Sequence, residues 1–174
     1  TMDDQLETVL LNLLRGTGLR GLCGILPQRG VFVRPMLCVS REDVEAYLAQ
    51  NELPHVEDST NEEDFALRNR LRHDVIPLLR RENENLPATI FRMGEILQAE
   101  DAYLSGQAAS LLASARQPGG GWSCSRLMQA HPVLKARAAR LLLDELHVKK
   151  PSQAHVAALL RMLEKTEGSE SLCL

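Results

Sequence analysis

The sequence predicts a mainly helical fold, and three observations support this prediction. Apolar residues recur every three or four positions in most segments, as they do on one face of a helix. Aromatic residues make up only 3% of the chain, which fits helices packed with Leu, Ala and Val better than packed sheets. The clearest strand candidate is short, residues 31–37, which are β-branched in part and contain a proline. With 174 residues and 44% hydrophobic content, the chain can form one ordinary domain or two small ones.

The first helix begins with a group of acids. Apolar residues follow at helical spacing, and a pair of glycines predicts that the helix ends near Arg15. The acids Asp3, Asp4 and Glu7 allow two interpretations. In the first, Asp4 is the N-cap and Glu7 is its capping-box partner. In the second, Asp4 and Glu7 face a cleft, where they hold a cation or take a proton.

Further elements are predicted before residue 83. Leucines spaced by three predict a short helical turn near Leu19, and Ser40 predicts the N-cap of a helix that ends near Gln50. Turn-forming residues from Glu57 to Asn61 predict a polar loop. The next helix has an apolar stripe, and Pro77 is expected to kink it. The stripe consists of Leu67, Leu71, Val75 and Leu78.

The second half of the chain is predicted to be helical. A short polar segment at 83–87 is the candidate linker. The segment before Trp122 is rich in glycine but lacks the pattern of a phosphate-binding loop, so we expect Trp122 at the edge of a core. The alternating residues 168–174 resemble the start of a strand. The predicted helices are 90–115, 126–147 and 152–164.

Charge is distributed unevenly, although the formal net charge is only −3. Residues 41–64 hold nine acids and one base, whereas residues 116–165 hold nine bases and three acids. The basic half is either a solvated surface or a surface for a polyanion. Cysteines and histidines are not clustered, so neither a metal site nor a dithiol site is predicted. Reduced thiols and the lack of any apolar run of ~18 residues predict a cytoplasmic protein without a membrane span.

Two arginines one helical turn apart form a second candidate group. Arg68 and Arg72 repel each other unless an anion lies nearby. Neighbouring acids could balance them as weak surface ion pairs. Alternatively, they form a clamp for phosphate or pyrophosphate, for which the planar guanidinium group is better suited than the lysine ammonium group. The absence of lysine from residues 1–134 agrees with the second interpretation. The neighbouring acids are Glu62, Glu63, Asp64 and Asp74.

The order of these motifs closely resembles the catalytic domain of the bacterial tRNA(Ile)-lysidine synthetase family. The resemblance rests on Asp-Asp-Gln-Leu-Glu-Thr, Leu-Arg-Gly-Thr-Gly-Leu-Arg-Gly-Leu, Arg-Pro-Met-Leu, Asp-Ser-Thr-Asn and Arg-Asn-Arg-Leu-Arg, in that order. It implies that residues 1–84 are the C-terminal part of an α/β PP-loop domain, which is adenine nucleotide hydrolase-like. Residues 85–174 would then form an all-helical domain that binds the tRNA substrate.

The resemblance also implies a reaction and a set of site residues. The family adenylates the wobble cytidine in the CAU anticodon of tRNA(Ile) with ATP, and free lysine then displaces AMP to form lysidine. ATP and magnesium are therefore the implied cofactors, tRNA(Ile) and lysine are the implied partners, and a homodimer is compatible with the resemblance. Position by position, the catalytic residues are matched by Asp4, Glu7 and Arg72, and the substrate-binding residues by Asp3, Arg68 and Asn69.

Some features depart from the family pattern. The serine-glycine-glycine loop that binds the ATP phosphates is absent from this sequence. We therefore expect an internal fragment without ligase activity of its own, whose acids are exposed beside the missing part of the site. The general base stays open between Asp4 and Glu7. The alternatives are a related tRNA cytidine thiolase, for which the sequence lacks cysteine pairs, and a non-catalytic helical module that binds RNA or protein.

Overall fold

The structure, a computed structural model, describes residues 1–55 and 64–165. These residues are mainly helical, as predicted, and the chain divides into two compact units, Thr1–Asp101 and Ala102–Leu174. This division falls within a long helix, and the predicted domain boundary between residues 84 and 85 stays a prediction. The predicted loop Glu57–Asn61 and the predicted strand at 168–174 lie outside the described residues.

The first unit contains the candidate site residues. Its elements are α1 (Met2–Leu14), α2 (Leu19–Leu22), β1 (Gln28–Arg29), β2 (Phe32–Val33), a 3-10 turn (Pro35–Cys38), α3 (Arg41–Gln50), α4 (Asp64–Arg70), a π-helical turn (Leu71–Val75) and α5 (Ile76–Glu82). Helix α6 (Leu86–Ala115) begins in this unit and ends in the second one. The second unit continues with α7 (Cys124–Gln129), α8 (Pro132–Glu145) and α9 (Gln153–Lys165).

Helix α1 is capped by Thr1. The Thr1 hydroxyl accepts a hydrogen bond from the Asp4 N–H at 3.4 Å, and the Asp4 carboxylate is the acid of the capping box. The prediction that Asp4 is the N-cap and Glu7 its partner is therefore wrong, since both residues lie inside the helix. Because capping does not use the Glu7 carboxylate, this side chain can turn into the protein interior. The helix ends at Leu14, close to the predicted end.

The predicted strand at 31–37 is much shorter in the structure. Only Phe32 and Val33 form β2, and Arg29 of β1 lies opposite Phe32 in an antiparallel pair. Pro35 has no N–H to donate to a ladder, and it begins the 3-10 turn instead. Leu37 of this turn is buried and anchors the end of the hairpin.

The segment from α4 to α5 is a helix with one widened turn. The Ile76 N–H donates to the carbonyl of Leu71, five residues earlier, as in a π-helix. Pro77 explains the widening, because its ring would collide with the carbonyl four residues earlier in a regular helix. The extra residue rotates the following positions by about 100°. The predicted stripe is therefore wrong at Val75 and Leu78, which are exposed, while Ile76 is buried.

A buried glutamine holds α1 against the loop that follows α2. Gln5 Oε1 accepts a hydrogen bond from the Ile25 N–H at 2.6 Å, and Gln5 Nε2 donates to the Cys23 carbonyl at 3.1 Å. Gln98 of α6 donates to the same carbonyl at 2.9 Å. Gly24 lies against the Gln5 amide with a φ of 65°, and a Cβ at this position would lie 2.6 Å from that amide.

We expect Gly24→Ala to destabilise the first unit more than Gly30→Ala. Both glycines have a positive φ, 65° and 60°, so both substitutions carry a backbone cost of about 1 kcal/mol. Only Gly24 has a neighbour within 4 Å, the Gln5 amide, and displacing it adds about 1 kcal/mol or more. Urea unfolding of both variants measures the difference, and equal free energies of unfolding would contradict the proposed contact.

The second unit has its own hydrophobic core. Leu142 and Val156 are fully buried in it, together with Trp122, whose ring lies 5.1 Å from the Arg116 guanidinium carbon. The expected position of Trp122 at a core is thus confirmed. The predicted single helix at 126–147 is wrong, because Pro132 begins a new helix after α7. None of the described helices combines the length and the apolar character needed to cross a bilayer.

Candidate functional site

A cleft of about 930 Å³ opens beside the first turn of α1. Helix α3 forms one wall, and the π-helical turn contributes Arg72 to another. The polar lining is mixed in charge, with more acids than bases among the described residues. The charged residues that line the cleft include Asp3, Asp4, Glu7, Arg41, Glu45 and Arg72.

The Glu7 carboxylate is the centre of the site. Its side chain is only 4% exposed, and it accepts two hydrogen bonds from Arg72: Nε to Oε1 at 2.7 Å and Nη2 to Oε2 at 3.0 Å. Such a two-point pair fixes both the distance and the orientation of the guanidinium group. The acidic turn of α1 (Asp3, Asp4 and Glu7) thus contacts the helical segment that carries Arg68 and Arg72, although more than 60 residues separate Glu7 from Arg72 in the sequence.

Arg68 approaches the same carboxylate from the preceding helical turn. Its Nε lies 3.1 Å from Glu7 Oε2, close enough for an ion pair, although the geometry does not form a hydrogen bond. Its Nη2 donates to the Thr8 hydroxyl at 3.4 Å. The anion expected near the two arginines is therefore Glu7, whose single negative charge leaves a net charge of +1 on the group of three side chains. The side chains of residues 62–64 lie outside the described part.

The arginine of the two-point pair remains charged over the whole accessible pH range. Hydrogen bonding to Glu7 raises the pKa of Arg72 above its ordinary value, although partial burial opposes this effect. Arg72 is also about one third exposed on the cleft side. It can therefore offer part of its guanidinium group to a second anion while Glu7 holds the rest.

Asp4 is the most exposed of the three acids Asp3, Asp4 and Glu7. Its side chain is half exposed, and its Oδ2 accepts a hydrogen bond from the Thr1 hydroxyl at 2.8 Å. Because the described contacts show no hydrogen bond to its Oδ1, Asp4 can offer this oxygen to a cation in the cleft.

Asp3 is fully used by protein contacts. Its Oδ1 accepts a hydrogen bond from Arg80 Nη2 at 2.6 Å, and its Oδ2 accepts one from the Arg41 N–H at 2.7 Å. Arg80 also donates to Glu42 of α3 at 3.1 Å. Asp3 and Arg80 thus hold α3 against α1 and α5, and fix one wall of the cleft.

Sequence reasoning missed Arg80 and Gln5. Arg80 lies eight positions after Arg72 on the same helical segment. The π-helical turn changes the face of the helix on which Arg80 lies relative to Arg72, so the spacing of the two arginines did not predict that Arg80 belongs to the site. The expectation that the acids are exposed is wrong for Glu7, which is buried and paired. Asn69 is exposed beside Arg68 and Arg70. Its proposed role in substrate binding stays a prediction.

Metal binding needs more ligands than this cleft supplies. Among the described residues, no three His, Cys, Asp or Glu side chains are arranged to hold a metal ion. Asp4 Oδ1 is the carboxylate oxygen of the acidic turn for which the described contacts show no hydrogen bond. One such oxygen fits Mg²⁺ only if phosphate oxygens and water complete the octahedron.

Two protein families match different parts of the sequence. A PP-loop domain matches residues 1–79, and a TilS substrate binding domain matches residues 123–174. The tRNA(Ile)-lysidine synthase of Bacillus licheniformis is 33% identical over 98% of this chain and 38% of its own length. The enzyme of the same name from Caldanaerobacter subterraneus is 35% identical over 97% and 37%, respectively. That from Parabacteroides distasonis is 50% identical over 57% and 23%.

The chain belongs to the tRNA(Ile)-lysidine synthase family. It spans less than two fifths of the length of these relatives. A PP-loop domain followed by a helical substrate-binding domain is the architecture that the resemblance implied, and the two matches confirm it. All six site residues predicted from the family lie within the PP-loop match, whereas Arg80 lies one residue beyond it.

Proposed function

We propose that this chain supplies part of the catalytic site and part of the tRNA-binding surface of a tRNA(Ile)-lysidine synthase. The reaction would begin with attack of the cytosine 2-carbonyl oxygen on the α-phosphate of ATP, which releases pyrophosphate. The ε-amine of lysine would then attack C2 of the base and release AMP. The whole reaction occurs in the cytoplasm under this proposal.

The observation that carries the proposal is the Glu7–Arg72 pair with Arg68 beside it. Adenylation and pyrophosphate release need fixed positive charge near phosphoryl oxygens. Glu7 holds the Arg72 guanidinium in one orientation, and one third of this side chain still faces the cleft. We therefore assign Glu7 to positioning, and Arg72 to contact with the reacting groups. Arg68 supports Glu7 from the preceding turn.

Asp4 is the residue that we assign to cation binding. Of Asp4 and Glu7, only Asp4 has a substantially exposed side chain, and the described contacts show no hydrogen bond to its Oδ1. It could hold the lysine ammonium group, or bind magnesium together with nucleotide phosphates. Magnesium bound there would neutralise phosphoryl charge.

For Asp3 we propose a role that differs from the one implied by the family resemblance. Both of its oxygens bind protein groups, Arg80 and the Arg41 N–H. We propose that Asp3 positions α3 and does not contact substrate. This assignment replaces its predicted role in substrate binding.

The second unit would bind the tRNA through a few of its basic residues. Three of its arginines already donate hydrogen bonds to protein groups: Arg126 to the Ser114 carbonyl, Arg137 to the Ser105 hydroxyl and Arg140 to the Pro151 carbonyl. Lys149 and Lys150, in contrast, are exposed after α8. We therefore expect the lysines, more than the arginines, to contact tRNA phosphates.

The test is lysidine formation by the full-length protein that carries this chain, assayed with ATP, lysine and tRNA(Ile). We expect Asp4→Asn to lower kcat/KM by at least about 100-fold, because the start of α1 loses its most exposed carboxylate, the one that we assign to cation binding. Glu95→Gln, an exposed substitution on α6, is the matched control and should leave the rate unchanged. A wild-type protein that forms no lysidine would refute the function, and an active Asp4→Asn variant would refute the role of Asp4.

Two related expectations accompany this proposal. The 174-residue chain alone should form no lysidine, because its sequence lacks the loop for the ATP phosphates. A thiolase would instead use cysteines that come together as a pair. Among the described residues, Cys23 and Cys124 are buried and Cys38 is exposed, and none forms a disulfide.

A further inference from the structure

One stretch of the first unit is basic and contains no acid. Residues 8–41 hold five arginines and not a single aspartate or glutamate. The β1–β2 hairpin lies within this stretch and carries Arg29, and Arg34 follows it directly. The acids at the two ends of the stretch, Glu7 and Glu42, are already paired with Arg72 and Arg80. Arg41 is paired with Glu45, so the positive charge next to the hairpin comes from Arg29 and Arg34, which lie in a stretch of sequence without acids.

The same hairpin exposes large apolar side chains. Val31 is 89% exposed and Phe32 is 70% exposed. An exposed apolar group of this kind commonly marks a binding surface. Arg29 lies directly opposite Phe32 in the antiparallel pair, so the two side chains project from the same face of the hairpin. A protein uses this combination, an open ring beside a guanidinium group, to stack on an unpaired base and to bind the adjacent phosphate.

Backbone contacts hold the hairpin in one conformation. The Arg34 N–H donates to the Pro27 carbonyl at 2.8 Å, and Arg34 Nη1 donates to the Leu26 carbonyl at 3.3 Å. Val39, which follows the 3-10 turn, accepts a hydrogen bond from the Met2 N–H at 2.9 Å. The hairpin is thus tied to the start of α1, and a ligand would not need to order it.

We propose that the β1–β2 hairpin is a docking element for single-stranded RNA, in which Phe32 stacks on an unpaired base and Arg29 binds the adjacent phosphate. The inference rests on the proposed function for the source of this RNA, a loop of the substrate tRNA. Charge complementarity favours RNA over an apolar protein surface. Burying Arg29 against such a surface would leave its charge without a partner.

The experiment measures binding of the 174-residue chain to a labelled RNA stem-loop whose loop contains CAU, in the absence of ATP and lysine. We expect Phe32→Ala to weaken binding about tenfold, the loss of one stacked base, and Phe32→Tyr to retain it. Val31→Ala removes the neighbouring exposed apolar group without removing a ring, and should leave binding unchanged. Arg29→Ala should lower the slope of log affinity against log salt by about one.

Three results would overturn the inference. The first is no binding of the stem-loop by the wild-type chain at low salt, and the second is unchanged affinity of Phe32→Ala. The third is self-association in sedimentation that Phe32→Ala abolishes while RNA affinity stays the same, which would assign the hairpin to contact with a second copy. Lysidine formation by the full-length protein is measured separately, so failure of the proposed function is distinguishable from failure of this inference.

Discussion

Glu7→Gln should destabilise the first unit by about 3 kcal/mol. The substitution keeps the shape of the side chain but removes its charge, and it directs an amide N–H₂ group toward one of the two arginines. Arg72 then loses its two-point partner, and Arg68 loses its ion pair. Removal of one partner from a buried pair costs about 3–5 kcal/mol. We expect the lower end, because both arginines are about one third exposed and water can replace part of the contact.

The measurement is hydrogen exchange of the α1 amides at increasing urea concentration, which follows the unfolding of the first unit alone. Glu45→Gln is the matched control, since Glu45 forms an exposed ion pair with Arg41 at 2.7 Å on the opposite wall of the cleft. Such a surface pair contributes about 0–1 kcal/mol. If the two variants unfold at the same urea concentration, Glu7 is not the anchor that we describe.

The candidate site could be predicted only in part. Family resemblance identified Glu7 and Arg72, which the structure brings into contact. Spacing alone favoured a capping role for Glu7, because an acid in the first turn of a helix is compatible with both capping and burial. The position of the N-cap decides between these roles, and that depends on which hydroxyl or carboxylate reaches the free N–H groups. Because the N-cap is Thr1 and not Asp4, Glu7 takes no part in capping and is buried inside the helix packing.

The limits of fold prediction had a common physical cause. The sequence predicts a disturbed helix at Pro77 but an unbroken one at Pro132. At both positions the missing N–H and the bulky ring of proline change the helix. At Pro77 the helix widens by one residue and the following side chains rotate. At Pro132 a new helix begins. Arg80 was not predicted as a site residue for the same reason. The face of the helix on which it lies depends on the widened turn, and regular helical periodicity takes no account of such a turn.

Leu142→Ala should destabilise the second unit by about 2–5 kcal/mol. Leu142 has no exposed surface and lies on α8 in the core that also contains Trp122, Leu159 and Leu163. The substitution removes buried apolar volume, and the surrounding helices can only partly close the cavity. Val133→Ala on the same helix is the matched control, since Val133 is 44% exposed and its truncation creates no cavity.

Trp122 makes this prediction specific to the second unit. It is the single tryptophan of the chain and is buried in the same core as Leu142, so its fluorescence follows the unfolding of this core. Because the chain has two compact units, circular dichroism averages over both and need not follow a two-state transition. We therefore expect Leu142→Ala to lower the urea midpoint of the Trp122 transition, and Val133→Ala to leave it within error of the wild-type value. A Trp122 midpoint that stays unchanged in Leu142→Ala would mean that the core around α8 does not pack as described.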